Sequence, residues 1–136
     1  MAKQAIKEKF QILEQNIKNL KKFKESISLE DLHKKKFDEW ALRYGFIESI
    51  QIIIDISCHF VSYYNLGKPS NYSECVEIIA KYDYITSEMA KKLIGMIGLR
   101  NLLIHEYTTI DLDILYGLLE NLDEMAEFVS KMKSYI

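Results

Sequence analysis

The stretch from Asp38 to Tyr64, DEWALRYGFIESIQIIIDISCHFVSYY, contains no proline and one glycine, and it carries apolar residues on nearly every side. A helix that is hydrophobic all round is a buried one. This segment is therefore expected to be the central helix, through Trp40, Tyr44, Ile47, Ile50 and Ile54 towards Tyr64. Upstream, Ser28-Leu-Glu-Asp31 has capping-box spacing with a short acid in the usual Glu position, and is expected to start that helix. Further upstream, Ile6, Phe10, Leu13, Ile17 and Leu20 recur at spacings of four and three, which lays one apolar stripe along a first helix. Downstream, Asn65-Leu-Gly-Lys-Pro-Ser-Asn71 is the clear breaker cluster. A short helix is expected from Tyr72 to Lys81, and Thr86 or Ser87 then caps a helix holding Met89, Leu93, Met96, Ile97 and Leu103. The last, about Leu112 to Ser134, repeats Leu115, Leu118, Leu122, Met125, Val129 and Met132 in near-heptads. The expected fold is all-α, an antiparallel bundle of four to five helices, with residues 1–136 as a single domain.

Composition narrows function by exclusion. The net charge of -2 argues against a generally basic nucleic-acid binder. Charge is segregated: residues 1–36 carry +5, residues 37–103 carry -2 and residues 104–136 carry -5. A basic first helix beside an acidic last helix accounts for that pattern if the two are antiparallel neighbours. The N-terminal MAKQAIKEKFQ lacks the apolar run of a signal peptide, and the longest charge-free run, Ile56 to Gly67, is too short to span a bilayer. A cytoplasmic protein without a membrane segment is the expectation. Cys58 and Cys75 have neither CxxC nor zinc-finger spacing, so neither a disulfide nor a structural zinc is expected. Of 18 Lys and Arg residues only Arg43 and Arg100 are arginines. A guanidinium grips phosphate or carboxylate as a fork, which an ammonium cannot do.

Polar residues that a core does not need concentrate in Leu99-Arg100-Asn101-Leu102-Leu103-Ile104-His105-Glu106-Tyr107. Asn101 and His105 are four apart and share a helix face, so the amide can orient the imidazole. Arg100 and Tyr107 share another face. Arg100 and His105, five apart, lie about 140° from one another around a continuous helix. Either the helix breaks near His105 or a second copy completes the arrangement. Glu48, Gln51 and Asp55 form an i, i+3, i+7 polar line on the otherwise apolar central helix. Buried acids need a partner, and Arg43 or Arg100 would supply a structural ion pair. His59 is expected in the core or an interface, and His33, beside Lys34-Lys-Lys36, on a solvated surface.

Arg100-Asn101-x-x-x-His105-x-Tyr107 resembles the Arg-x4-His-x-Tyr signature of the HepT-like toxins, a branch of the HEPN superfamily. Trp40 to Gln51, the Pro69-Ser-Asn-Tyr72 turn and the run from Leu93 through Tyr116 are similar to the same family, so the likeness spans roughly residues 35 to 130. The resemblance implies a metal-independent endoribonuclease with no cofactor. It implies a homodimer in which the motif helices face one another, so that two Arg–His sets surround one phosphate of an RNA substrate. In that chemistry the RNA 2′-hydroxyl attacks the adjacent phosphorus. His105 is the motif group suited to moving protons at neutral pH, an effect typically worth ~10²–10⁴ in rate. Arg100 holds the phosphate and offsets its developing charge, a term of ~3 kcal/mol per donor. Asn101 orients His105 or contacts the phosphate, and Glu48 is a supporting polar residue. The resemblance also implies a nucleotidyltransferase antitoxin that silences the toxin by adding AMP to Tyr107. A different class stays open beside it: a non-catalytic HEPN module that binds nucleotide or docks onto the nucleotidyltransferase.

Overall fold

The computed structural model describes residues 3–105 and 110–136. The described residues form helices α1 (Lys3–Ser26), α2 (Leu29–Lys34), α3 (Lys36–Tyr63), α4 (Tyr72–Lys81), α5 (Ser87–His105), α6 (Leu112–Gly117) and α7 (Leu122–Lys133), with a 3-10 helix at Leu118–Asn121 between the last two. The all-α expectation holds.

The 4-3 stripe of α1 buries Ile6, Phe10, Leu13, Ile17 and Leu20 as read from the sequence. Two cross-links fix its direction against α3: Lys9 Nζ lies 2.8 Å from Asp55, and Asn16 donates to Glu48 at 2.8 Å. Rising residue numbers on one helix meet falling numbers on the other, so the pair is antiparallel. The same holds for α1 against the C-terminal helices, through Lys133–Glu14 at 3.0 Å, Lys21–Asp123 at 3.6 Å and Lys24–Glu120 at 3.3 Å. The basic first helix thus lies along the acidic last segment, which accounts for the charge segregation.

The central helix is α3. Its buried set includes Leu42, Phe46, Ile50, Ile52, Ile53, Ile54, Ile56, Phe60 and Val61. By length and a mean hydropathy of 1.3 over 18 residues it is apolar enough to cross a membrane. Here those apolar faces are covered by α1, α4 and α5 inside the bundle. Phe10, Phe46, Phe60 and Phe128 are fully buried and tie α1, α3 and α7 into one core.

Two expected helices are in fact divided. The Ser28–Asp31 capping box forms, with both bonds at 3.1 Å, but it starts the six-residue α2 rather than the long helix. Lys35, extended at φ -120° and ψ 103°, ends α2 and begins α3. That single turn of direction buries Leu32, and the neighbouring Ile27 carbonyl accepts from the Tyr116 hydroxyl at 2.6 Å. The last helix is likewise interrupted after Gly117, a poor helix former. The tighter 3-10 turn brings the successive residues Leu118 and Leu119 both into the core.

After α3 the chain reverses through Asn65, left-handed at φ 53°, with Leu66 N–H reaching back to the Val61 carbonyl at 2.9 Å. Asp83 repeats the device after α4 at φ 65°. Asn and Asp tolerate this conformation better than other side chains do. The reversal lays α4 along α3, and Cys58 and Cys75, with Cα atoms 5.0 Å apart, form a disulfide. This corrects the expectation of unpaired cysteines. A spacing of 17 residues carries no pairing signal by itself, and the bond exists only because the breaker cluster folds α4 back.

Candidate active site

Thr86 caps α5, its hydroxyl accepting from the Met89 N–H at 3.1 Å. From there α5 runs as one continuous helix to His105. Buried Met89, Leu93, Met96, Ile97 and Leu103 hold its inner face in the bundle. The opposite face carries Gly95 and Gly98, where an added Cβ would meet open space, followed by exposed Leu102 and His105. Because α5 does not break before His105, Arg100 and His105 remain about 140° apart on one chain. Tyr107, with Glu106, lies outside the described residues.

Arg100 is half-buried and held on several sides. Its Nη2 donates to Gln51 Oε1 on α3, and its Nη1 donates to Asn101 Oδ1 at 2.9 Å. The guanidinium carbon stands 5.8 Å from the centroid of the Tyr72 ring at the start of α4, within cation–π range. Its Nε is buried and has no hydrogen-bond partner among the described residues. Gln51 is itself fixed, its Nε2 donating to Asp55 Oδ1 at 2.9 Å, while the other Asp55 oxygen takes Lys9 Nζ at 2.8 Å. A polar chain therefore runs from α1 through α3 to α5: Lys9, Asp55, Gln51, Arg100.

These contacts revise two details of the sequence reading. Asn101 accepts from Arg100, and among the described residues it makes no bond to His105, so the expected Asn101–His105 pairing is absent. The reason is proximity: the adjacent guanidinium reaches the amide oxygen first. The polar line on α3 does not find an arginine for its acids. Glu48 accepts from Asn16 at 2.8 Å and from Tyr44 at 3.0 Å, joining α1 to α3 one turn before Gln51. The Tyr44 bond to Glu48 raises the Tyr44 hydroxyl above its usual pKa. Asp55 pairs with Lys9, and Arg43 pairs with Glu39 at 3.3 Å. The structural ion pairs exist, with partners that the sequence does not identify. Gln51, Tyr72 and Lys9 are the residues around Arg100 that sequence reasoning leaves outside the site. Tyr72 enters that reasoning only as part of a turn and as the start of a short helix.

His105 is exposed at the last residue of α5. His59 is half-buried on α3, its ring 5.5 Å from Tyr63 and 6.0 Å from Phe60, and burial lowers its pKa below the ordinary 6.5. His33 is exposed and lies 3.5 Å from Asp113. Among the described residues no three His, Cys, Asp or Glu side chains gather as a metal site. The chemical resources at the end of α5 are a fixed guanidinium, an amide and a solvent-facing imidazole. Together they suit an anion and a proton transfer.

Comparison with known proteins agrees with that inventory. The family model described as "Ribonuclease HepT-like" matches residues 13–132. A relative named tRNA nuclease HepT, from Aphanizomenon flos-aquae, is 31% identical over 133 residues, covering 96% of this chain and 89% of its own. A second, named mRNA nuclease HepT, from Shewanella oneidensis, is 29% identical over 82 residues, 60% of this chain and 62% of its own. The fold is that of a solved Shewanella oneidensis HEPN toxin, described as tri-AMPylated and in complex with an MNT antitoxin. That toxin has a TM-score of 0.88 and 22% identity, covering 98% of this chain and 99% of that one. A Bacillus subtilis cytosolic protein of unknown function, YutE, has the same fold at a TM-score of 0.85 and 19% identity, covering 99% of this chain and 90% of its own. Matched across its core helices by the family model and over nearly its whole length by a relative, this chain belongs to the HepT-like ribonucleases.

Proposed function

We propose that this ribonuclease is the toxin of a toxin–antitoxin pair and acts in the cytoplasm as a homodimer. In this reading it cuts RNA without a metal ion, and an MNT-type nucleotidyltransferase silences it by adding AMP to Tyr107. The observation that carries the reading is the end of α5, where a half-buried Arg100 fixed by Gln51 stands five residues before an exposed His105. The guanidinium binds the scissile phosphate through charge-assisted hydrogen bonds and takes up negative charge as the phosphorus becomes five-coordinate. An imidazole removes the proton of the 2′-hydroxyl, whose oxygen attacks phosphorus, and the bond to the 5′-oxygen breaks. The departing oxygen receives a proton from an imidazolium. The products are a 2′,3′-cyclic phosphate and a 5′-hydroxyl.

One α5 does not aim Arg100 and His105 at a single atom, and a two-fold pair of α5 helices removes that difficulty. The open face of α5, with Gly95, Gly98 and exposed Leu102, is suited to close approach of a second copy. Two His105 side chains then serve as base and acid. AMPylation of a solved toxin of the same fold supports the modification step, and Tyr107, two positions after His105, is assigned to it here from the motif it completes. AMP there adds bulk and negative charge where the RNA phosphate must sit.

His105→Ala and Arg100→Ala are expected to lower RNA cleavage at least about a hundredfold while leaving helicity and oligomeric mass unchanged. Retained cleavage in His105→Ala contradicts the assignment. Co-expression with an MNT-type nucleotidyltransferase is expected to add the mass of AMP to Tyr107 in intact and peptide mass spectra. An unmodified Tyr107 in an inactive complex contradicts the silencing step.

A further inference from the structure

The chain's two arginines are held in opposite ways. Arg43 donates to the buried carboxylate of Glu39 at 3.3 Å, and Lys36 donates to the same carboxylate at 3.2 Å, so its charge is compensated in place. Arg100 donates to two amide oxygens, Gln51 Oε1 and Asn101 Oδ1, which accept hydrogen bonds without carrying charge. Among the described residues no carboxylate comes within ion-pair distance of Arg100. The nearest acid in its network, Asp55, stands one residue further back behind Gln51, and Lys9 compensates it at 2.8 Å.

We propose that Gln51 is a positioning residue that aims the Arg100 guanidinium while leaving its positive charge available to an RNA phosphate, with Asp55 and Lys9 fixing the orientation of the Gln51 amide. This rests on the RNA-cleaving reading above. The Asp55 bond to Nε2 determines which end of the amide faces Arg100: Asp55 accepts, so Oε1 must point at the guanidinium. Tyr72 closes the arginine from another side with its ring, again without a countercharge. A carboxylate at position 51 would hold the guanidinium more tightly and would also neutralise it. An amide separates orientation from charge compensation.

Two substitutions separate these functions. Gln51→Glu keeps the shape and the acceptor and adds a negative charge. Gln51→Met keeps the bulk and removes the hydrogen bond. Three readouts apply: cleavage of a short single-stranded RNA, salt-dependent binding of the same oligonucleotide carrying 2′-O-methyl groups, which cannot be cut, and melting temperature. Gln51→Glu is expected to melt at or above the wild-type temperature while binding the 2′-O-methyl strand about tenfold more weakly. Its slope of log affinity against log salt should shrink by about 0.7 for each phosphate that is no longer neutralised. Gln51→Met is expected to bind within about threefold of wild type and to lose about tenfold in kcat, because the cation is present but no longer aimed.

A merely structural glutamine predicts the same stabilising ion pair in Gln51→Glu, but with binding and cleavage intact. That result overturns the inference and leaves the ribonuclease reading standing. If wild type binds the 2′-O-methyl strand but leaves the unmodified RNA uncut, and Gln51→Glu still binds more weakly, the nuclease reading falls and the charge argument survives. A wild type that neither binds nor cuts RNA overturns both.

Discussion

His59 shows how a single side chain couples burial to pH. It sits among Phe60, Tyr63 and Tyr64 at one end of the bundle, and burial disfavours its charged form, so its pKa in the fold lies below the ordinary 6.5. The unfolded chain therefore takes up a proton before the folded one does as pH falls. The stability tied to the neutral imidazole is present above pH 6.5 and is lost as pH drops below it. Thermal denaturation at about pH 7.5 and about pH 5.5 is expected to show a larger drop in melting temperature for wild type than for His59→Gln. Equal drops for the two proteins would count against the burial argument. At the same scale, Gln51 shows what a sequence leaves open. Glu48, Gln51 and Asp55 lie on one helical line, and periodicity cannot say which of them faces α5 and which faces α1. Only the packing of α1 and α5 on α3 assigns Arg100 to Gln51, Lys9 to Asp55 and Asn16 to Glu48.

Elements were legible where one rule acted alone. The stripe of α1 follows from 4-3 spacing, and its consequences are local and testable. Leu13, fully buried, is expected to cost about 2–5 kcal/mol when cut to alanine. Its neighbour Ile12, 46% exposed, is expected to cost under about 0.5 kcal/mol. Urea denaturation of the two variants checks the contrast, and similar losses would mean that the stripe is assigned to the wrong face. Legibility failed where tertiary packing overrode local pattern. Nothing in Lys34-Lys-Lys36 is a helix breaker, yet one extended residue at Lys35 turns the chain so that Leu32 is buried against the bundle. The heptads from Leu115 to Met132 continue through the 3-10 turn, because tightening the helix keeps Leu118 and Leu119 inside without altering the apolar pattern. The Cys58–Cys75 bond was illegible for a third reason, since it depends on the direction in which α4 returns along α3.

For the molecule as a whole, net acidity and RNA chemistry are compatible because the charges are separated. Along α1, Lys21 pairs with Asp123, Lys24 with Glu120 and Lys9 with Asp55. The exposed pairs Lys21–Asp123 and Lys24–Glu120 contribute little stability, yet with the part-buried Lys9–Asp55 pair they offset part of the positive charge that α1 would otherwise offer to phosphates. What remains for a phosphate is local: one guanidinium per chain without a bound carboxylate among the described residues, beside a helix face with room for a second copy. The most direct test of the central claim is an RNA cleavage assay in the presence of a chelator, using the unmodified protein and His105→Ala side by side. Wild type is expected to give fragments ending in 2′,3′-cyclic phosphate and 5′-hydroxyl, and His105→Ala to leave the RNA intact. Intact RNA from both, or equal cleavage by both, would contradict it.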